Sequence, residues 1–262
     1  MGGSELGSRI AFGVPAVAFA IAIVVAGGGW FAVGVGLLGI VCMHELLTAY
    51  DDYAPPKLAG FLGIAGLVVA AQLGDLDSVV LAFVCFFGVL FLVTMVSPRA
   101  TGPGVAICVL GVAWIGLAIA QAVLLRDLPH GGGIVACVLV GTVACDIGAY
   151  FGGRTFGARR LAPRVSPNKT WEGLGIGVLV GVLAVWLTGT YQDWLSGTDA
   201  LLIGVGVSLA GPAGDLFESF LKRDAGIKDT GRLFGAHGGA LDRLDALLFT
   251  VVVGYWVWRA LL

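Results

Sequence analysis

The chain has 262 residues, of which 58% are hydrophobic and 12% charged, and its formal net charge is −2. Mean hydropathy is +0.97. A soluble domain carries about twice that charged share, so a soluble enzyme, a disordered chain and a nucleic-acid-binding domain are all excluded, and a polytopic membrane protein remains. The 43 glycines follow no collagen period; within apolar stretches they let helices approach closely. Cys42, Cys85, Cys108, Cys137 and Cys145 all lie in apolar runs without C-x-x-C spacing. They read as small buried residues, not as a zinc site or a disulfide framework.

About 20 apolar residues cross a bilayer as a helix. Nine such runs follow in order, at roughly 10–27, 30–50, 58–74, 78–96, 104–125, 133–151, 173–190, 200–221 and 244–262. The first has Arg9 on its flank and no clear cleavage site, so it reads as a span and not as a signal peptide. Most connections are short turns, such as Asp51–Lys57 and Ser97–Arg99. Two are longer, at 152–172 and 222–243, and they hold Arg154, Arg159, Arg160, Arg164, Lys169, Lys222, Arg223, Lys228, Arg232 and Arg243. With nine spans and a cytoplasmic N-terminus, Arg9, Lys57 and Arg99 fall on the same side, and only Arg126 and Arg259 fall opposite. The positive-inside rule then places both long loops in the cytoplasm. By composition, residues 1–132 form five N-terminal spans with little chemistry. Residues 133–262 form a four-span region that carries nearly all the reactive side chains.

Charged side chains at membrane depth are costly and mark sites. Asp146 lies inside the sixth span, with Tyr150 one turn later on the same face. In the eighth span Pro212 stands between Gly211 and Gly214, and the spacing predicts a break or kink there, with Asp215 directly after it. Asp215, Glu218, Ser219 and Lys222 then share one helical face. The following loop is basic and glycine-rich, and ends in Asp242 and Asp245, one turn apart. Carboxylates beside such a loop suggest Mg²⁺ with phosphate. In the other loop, Thr170 or Asn168 is placed to cap the seventh span, with Glu172 in its first turn. Ser166, Lys169 and the nearby arginines add a phosphate site at a helix start. Trp171 reads as an interface anchor. His237 has three readings: a phosphate contact, an acid or a turn residue. His44 and Glu45 in the second span read as a buried structural pair in preference to a ligand pair.

Residues 219–245 resemble the signature of the phosphatidate cytidylyltransferases, or CDP-diacylglycerol synthases. Ser219, Lys222, Arg223, Lys228, Asp229, His237, Gly238, Gly239, Asp242, Arg243 and Asp245 fall in register, and Ala240 replaces a larger aliphatic residue. The blocks Asp146–Tyr150 and Ser166–Gly173 also look like that family. The resemblance implies an all-α membrane fold of about nine helices, some broken around a polar cavity, in a bacterial-type inner membrane with the active site facing the cytoplasm. It implies the reaction of CTP with phosphatidate to give CDP-diacylglycerol and pyrophosphate, a homodimer, Mg²⁺, and K⁺ as a second cation. Carried onto this chain, Asp215 and Asp242 hold the metal and act in catalysis with Lys222, Arg223 and Asp245. Ser166, Lys169, Thr170, Ser219, Lys228, Asp229, His237, Gly238, Gly239, Arg243 and Asp146 contact substrate. The chemistry needs no protein nucleophile, because phosphatidate brings its own anionic phosphate; the protein must clamp two polyanions together. Competing readings are another membrane nucleotide-lipid transferase, a CTP-dependent lipid kinase, or a secondary transporter. A transporter predicts paired broken helices in two related halves, which the first half lacks.

Overall fold

The computed structural model describes residue 15, residues 17–231 and residues 238–262. Among these residues nine helices follow the nine apolar runs. They are α1 (Val17–Ala26), α2 (Gly28–Ala49), α3 (Lys57–Leu73), α4 (Leu76–Val96), α5 (Gly102–Asp127), α6 (Gly131–Phe156), α7 (Trp171–Gly189), α8 (Gly197–Asp224) and α9 (Leu241–Leu261). All except α1 and α3 are long and apolar enough to cross a membrane alone. The protein is an integral membrane protein of the all-α class, and among the described residues its one departure is a small hairpin between α6 and α7.

Local chemistry sets the helix starts. Asp75 caps α4, accepting from the Ser78 amide and hydroxyl, both at 2.9 Å, and these bonds hold its carboxyl below the ordinary carboxylate range. Thr101 caps α5 through the Gly104 amide, with Pro103 in the first turn. Ser196 caps α8 by accepting from the Asp199 amide while its hydroxyl donates to the Asp199 carboxylate. A π segment, Val112–Gly116, interrupts the regular turn of α5.

The described residues divide into two units. The first contains the chain up to Asp127 together with Ile227–Arg243; the second contains Leu128–Gly226 and Leu244–Leu262. The segment Ile227–Arg243 thus belongs with the first unit. The core of the first unit is built on Met43, Leu46, Leu47, Ile64, Leu67, Ile115 and Leu125. Helix α4 buries only Val79, Phe86 and Leu90; its other side chains form a surface suited to lipid. In the second unit α6, α7 and α8 meet through glycines. A Cβ at Gly177 would lie 2.7 Å from the Cys145 carbonyl oxygen, so only glycine permits that approach.

The expected break at Pro212 is absent. Helix α8 continues through it from Gly197 to Asp224. Proline removes the N–H that would bond the Ser208 carbonyl, and the Cys145 thiol donates to that carbonyl instead, at 3.5 Å. A neighbouring helix thus satisfies the freed group, as membrane helices require. The two long loops are also shorter than expected. Helix α6 runs to Phe156 and α8 to Asp224. Between α6 and α7 lies an antiparallel pair, β1 (Arg160–Ala162) and β2 (Ser166–Thr170). All five cysteines are free thiols.

Candidate active site

In the second unit four elements bring charged groups together. Strand β2 ends on Thr170, which caps α7 by accepting from the Gly173 amide at 3.1 Å. Glu172, in the first turn of α7, reaches back to accept from the Ala158 and Arg159 amides, each at 3.1 Å. The hairpin is thereby tied to the helix start, and it presents Lys169. The Lys169 ammonium lies 2.6 Å from Asp215 Oδ2, with the two side chains 25% and 36% exposed. Ser219, one turn along α8, donates to Asp215 Oδ1 at 3.3 Å. Lys222 pairs with Glu218 at 2.5 Å, and Glu218 is 1% exposed, so the ammonium offsets part of the cost of burying that carboxylate. The charge of Asp215 acts on both Asp146 of α6 and Asp245 of α9; Lys169 acts on Asp146, and Lys222 on Asp245. Arg223 donates to the Val165 carbonyl at 3.4 Å, a further link between α8 and the hairpin.

Carboxylates offset by two ammonium groups form a hard-oxygen donor set. Mg²⁺ is commonly held by one or two such carboxylates while substrate phosphates and water complete its shell. The residues therefore fit Mg²⁺ in chemical type, and the lysines fit phosphate.

In the first unit a second network surrounds the signature loop. Asp242, in the first turn of α9, accepts through Oδ2 from the Gly239 amide at 2.8 Å, the Thr230 amide at 2.9 Å and the Thr230 hydroxyl at 3.0 Å. Glu45 of α2, 6% exposed, accepts from the Ala240 amide at 3.0 Å, the Leu241 amide at 2.8 Å and the Thr230 hydroxyl at 3.3 Å. These bonds are why 227–243 packs with the first unit. Gly238 has φ of 84°, where a side chain would be strained. A Cβ at Gly231 or Gly239 would collide with the Glu45 carboxylate. The backbone amides at 230 and 239–241 thus bind protein carboxylates.

Of the residues expected at the site, the second unit gathers Asp146, Lys169, Asp215, Ser219, Lys222 and Asp245 around one set of charges. Ser166 lies at the start of β2 and Thr170 is occupied as a cap. The first unit holds Lys228, Asp229, Gly238, Gly239, Asp242 and Arg243; Lys228, Asp229 and Arg243 are exposed. His237 lies outside the described residues. His44 and Glu45 do not form a pair: His44 is exposed beside Phe61. The role of Glu45 in the loop was missed by sequence reasoning, and its one signal was a carboxylate within an apolar span.

Known proteins share this sequence. The phosphatidate cytidylyltransferase of Mycobacterium leprae (strain TN) is 42% identical over 143 residues, which cover 55% of this chain and 46% of that protein. The phosphatidate cytidylyltransferase of Bacillus subtilis (strain 168) is 32% identical over 264 residues, with 97% of each chain covered. That of Aquifex aeolicus (strain VF5) is 33% identical over 216 residues, covering 81% of this chain and 69% of the relative. The profile of the Cytidylyltransferase family matches residues 7–261, so the acidic and basic set on α6, β2, α8 and α9 falls within a match that runs almost end to end, and the chain belongs to the Cytidylyltransferase family.

Proposed function

We propose that this chain transfers the cytidylyl group of CTP to phosphatidate, giving CDP-diacylglycerol and pyrophosphate. The observation that carries the reading is the Lys169–Asp215 pair, set among Asp146, Asp245 and Lys222 on membrane-crossing helices. Such a set serves a reaction between two polyanions, one of them a lipid. The relatives named phosphatidate cytidylyltransferase support the choice of substrates. An oxygen of the phosphatidate phosphate attacks the α-phosphorus of CTP, a new P–O bond forms, and the bond to the β-phosphate oxygen breaks as pyrophosphate leaves. Lys169, Lys222, Arg223, Lys228 and Arg243 hold phosphate oxygens and oppose the charge that crowds the reacting centre. Asp215 and Asp242 would hold Mg²⁺, which neutralises charge on the transferring group when bound. Asp146 supports a second cation, K⁺, or the nucleotide.

The distribution of Lys and Arg supports an orientation with the loops after α6 and α8 in the cytoplasm, where CTP is available, in a bacterial inner membrane. The family resemblance carries the expectation of a homodimer. The test is the full chain in detergent with phosphatidate and CTP labelled on the α-phosphate. Label should enter the lipid with one pyrophosphate released per transfer. Absence of lipid label, or transfer from the γ-position instead, would overturn the reading.

A further inference from the structure

We infer that Glu45 is a positioning residue for Asp242: it fixes the start of α9 together with Thr230 and Gly239, so that the Asp242 carboxylate is held in one orientation for its ligand. The inference rests on the proposed role of Asp242 as a cation ligand.

Glu45 sits among Met43, Leu46 and Leu47, which are 0%, 2% and 0% exposed. A carboxylate in such surroundings is retained only if its lone pairs are filled. The described donors are two backbone amides and a hydroxyl, all from the segment 230–241. The Ala240 and Leu241 amides belong to the start of α9, where the first N–H groups lack helical partners and the helix dipole favours an anion. Glu45 therefore acts as a cap supplied from a different helix, 196 residues away from Leu241 in sequence.

The consequence for Asp242 follows from shared donors. Thr230 gives its amide to Asp242, and its hydroxyl lies within reach of both Asp242 and Glu45. Gly239, whose amide also binds Asp242, lies so close to the Glu45 carboxylate that a Cβ would not fit. The described donors to Asp242 Oδ2 are thus groups that Glu45 locates. Moving Glu45 moves both amides, and Asp242 loses its fixed direction. Loop glycines and a carboxylate in a distant span become parts of one device.

The test uses the full chain in detergent with Mn²⁺ as the probe, its binding read by paramagnetic resonance, beside cytidylyl transfer. Asp242→Asn should weaken Mn²⁺ binding, which establishes the ligand. Glu45→Gln keeps the size but faces the two amides with an NH₂ donor, and Glu45→Asp retracts the carboxylate by one methylene. Each should weaken Mn²⁺ binding by about 10–100-fold, the usual cost of removing a group that orients a metal ligand. The apparent KM for phosphatidate should stay within about twofold of the parent. Exchange of the Thr230, Gly239, Ala240 and Leu241 amides should accelerate, while exchange in α7 stays unchanged. Gly239→Ala, which attacks the same contact from the loop, should reproduce the weakening should the Glu45 variants fold poorly. Parent-like Mn²⁺ affinity in Glu45→Gln or Gly239→Ala overturns the inference, even if exchange in the loop speeds up. Unaltered affinity in Asp242→Asn overturns it as well. A parent protein that binds Mn²⁺ through Asp242 but transfers no cytidylyl group would instead refute the proposed reaction and leave the role of Glu45 standing.

Discussion

Replacing Lys169 with methionine keeps the length of the side chain and removes its charge, so it separates two jobs the ammonium could have. One job is to neutralise Asp215. At 2.6 Å and an effective dielectric of about 20, the direct attraction is about 6 kcal/mol. The side chains are 25% and 36% exposed, and desolvation with solvent screening reduces the net contribution to about 1–2 kcal/mol. A chain of this size shifts its thermal midpoint by about 2–4 °C per kcal/mol, so Lys169→Met should unfold only a few degrees earlier. The other job is to clamp phosphate. Losing a donor aimed at developing charge costs about 10²–10³ in rate. Lys169→Met should therefore lower kcat/KM for CTP by that factor, far beyond the stability effect. Lys169→Arg should recover the midpoint and only part of the rate, since a planar fork does not replace a point charge. The assay is label transfer from CTP to phosphatidate at several CTP concentrations, with thermal unfolding of the same samples. A Lys169→Met protein that loses a few degrees yet keeps kcat/KM within about threefold would show that the lysine serves Asp215 alone and refute the clamp.

Asp215→Asn and Asp242→Asn should each abolish Mg²⁺-dependent transfer while the protein still folds; near-normal rates with an unshifted Mg²⁺ optimum would remove that residue from the site. Arg243→Lys keeps the charge but loses the bidentate fork, and kcat/KM should fall about tenfold or more; an unchanged value would place Arg243 outside the phosphate contacts. Cysteines placed at Lys228 or in the β1–β2 turn should resist membrane-impermeant thiol reagents in intact cells and react after lysis; labelling in intact cells would reverse the orientation. The Asp75 cap gives a pH test. Its carboxyl is held below its ordinary range by the Ser78 hydrogen bonds, so its contribution is present above the unfolded value and lost as pH falls through the lower folded one. Asp75→Ala should therefore unfold earlier than the parent at neutral pH, and the gap should close in strong acid; a gap independent of pH would argue against the charged cap.

Hydropathy located the helices well because each span is a local property, complete within about 20 residues. Their ends were less legible. Arg154 and Arg223 read as loop residues, yet α6 and α8 carry them inside their last turns, where basic groups favour the helix C-terminus. Pro212 followed a sound local rule that a tertiary contact overrode: the donor to Ser208 comes from Cys145, 63 residues away. The hairpin escaped notice because β1 has three residues and β2 five, too few to show alternation. At the site, the face shared by Asp215, Ser219 and Lys222 could be counted along one helix. The place of Glu45 could not, because its partners lie beyond residue 229 and no spacing rule connects them.

The feet of the β1–β2 hairpin are both fastened to the start of α7, one by the Glu172 carboxylate on the Ala158 and Arg159 amides, the other by the Thr170 cap. Lys169 is the residue next to that second anchor. It stands on a rigid bracket instead of a swinging arm, so its reach is set by the side chain alone. Residues inserted at the tip of the hairpin, around Arg164, should disturb the Arg223 bond to the Val165 carbonyl yet leave both feet fastened and the position of Lys169 intact. One residue inserted between Thr170 and Glu172 would unfasten the bracket and let the ammonium wander.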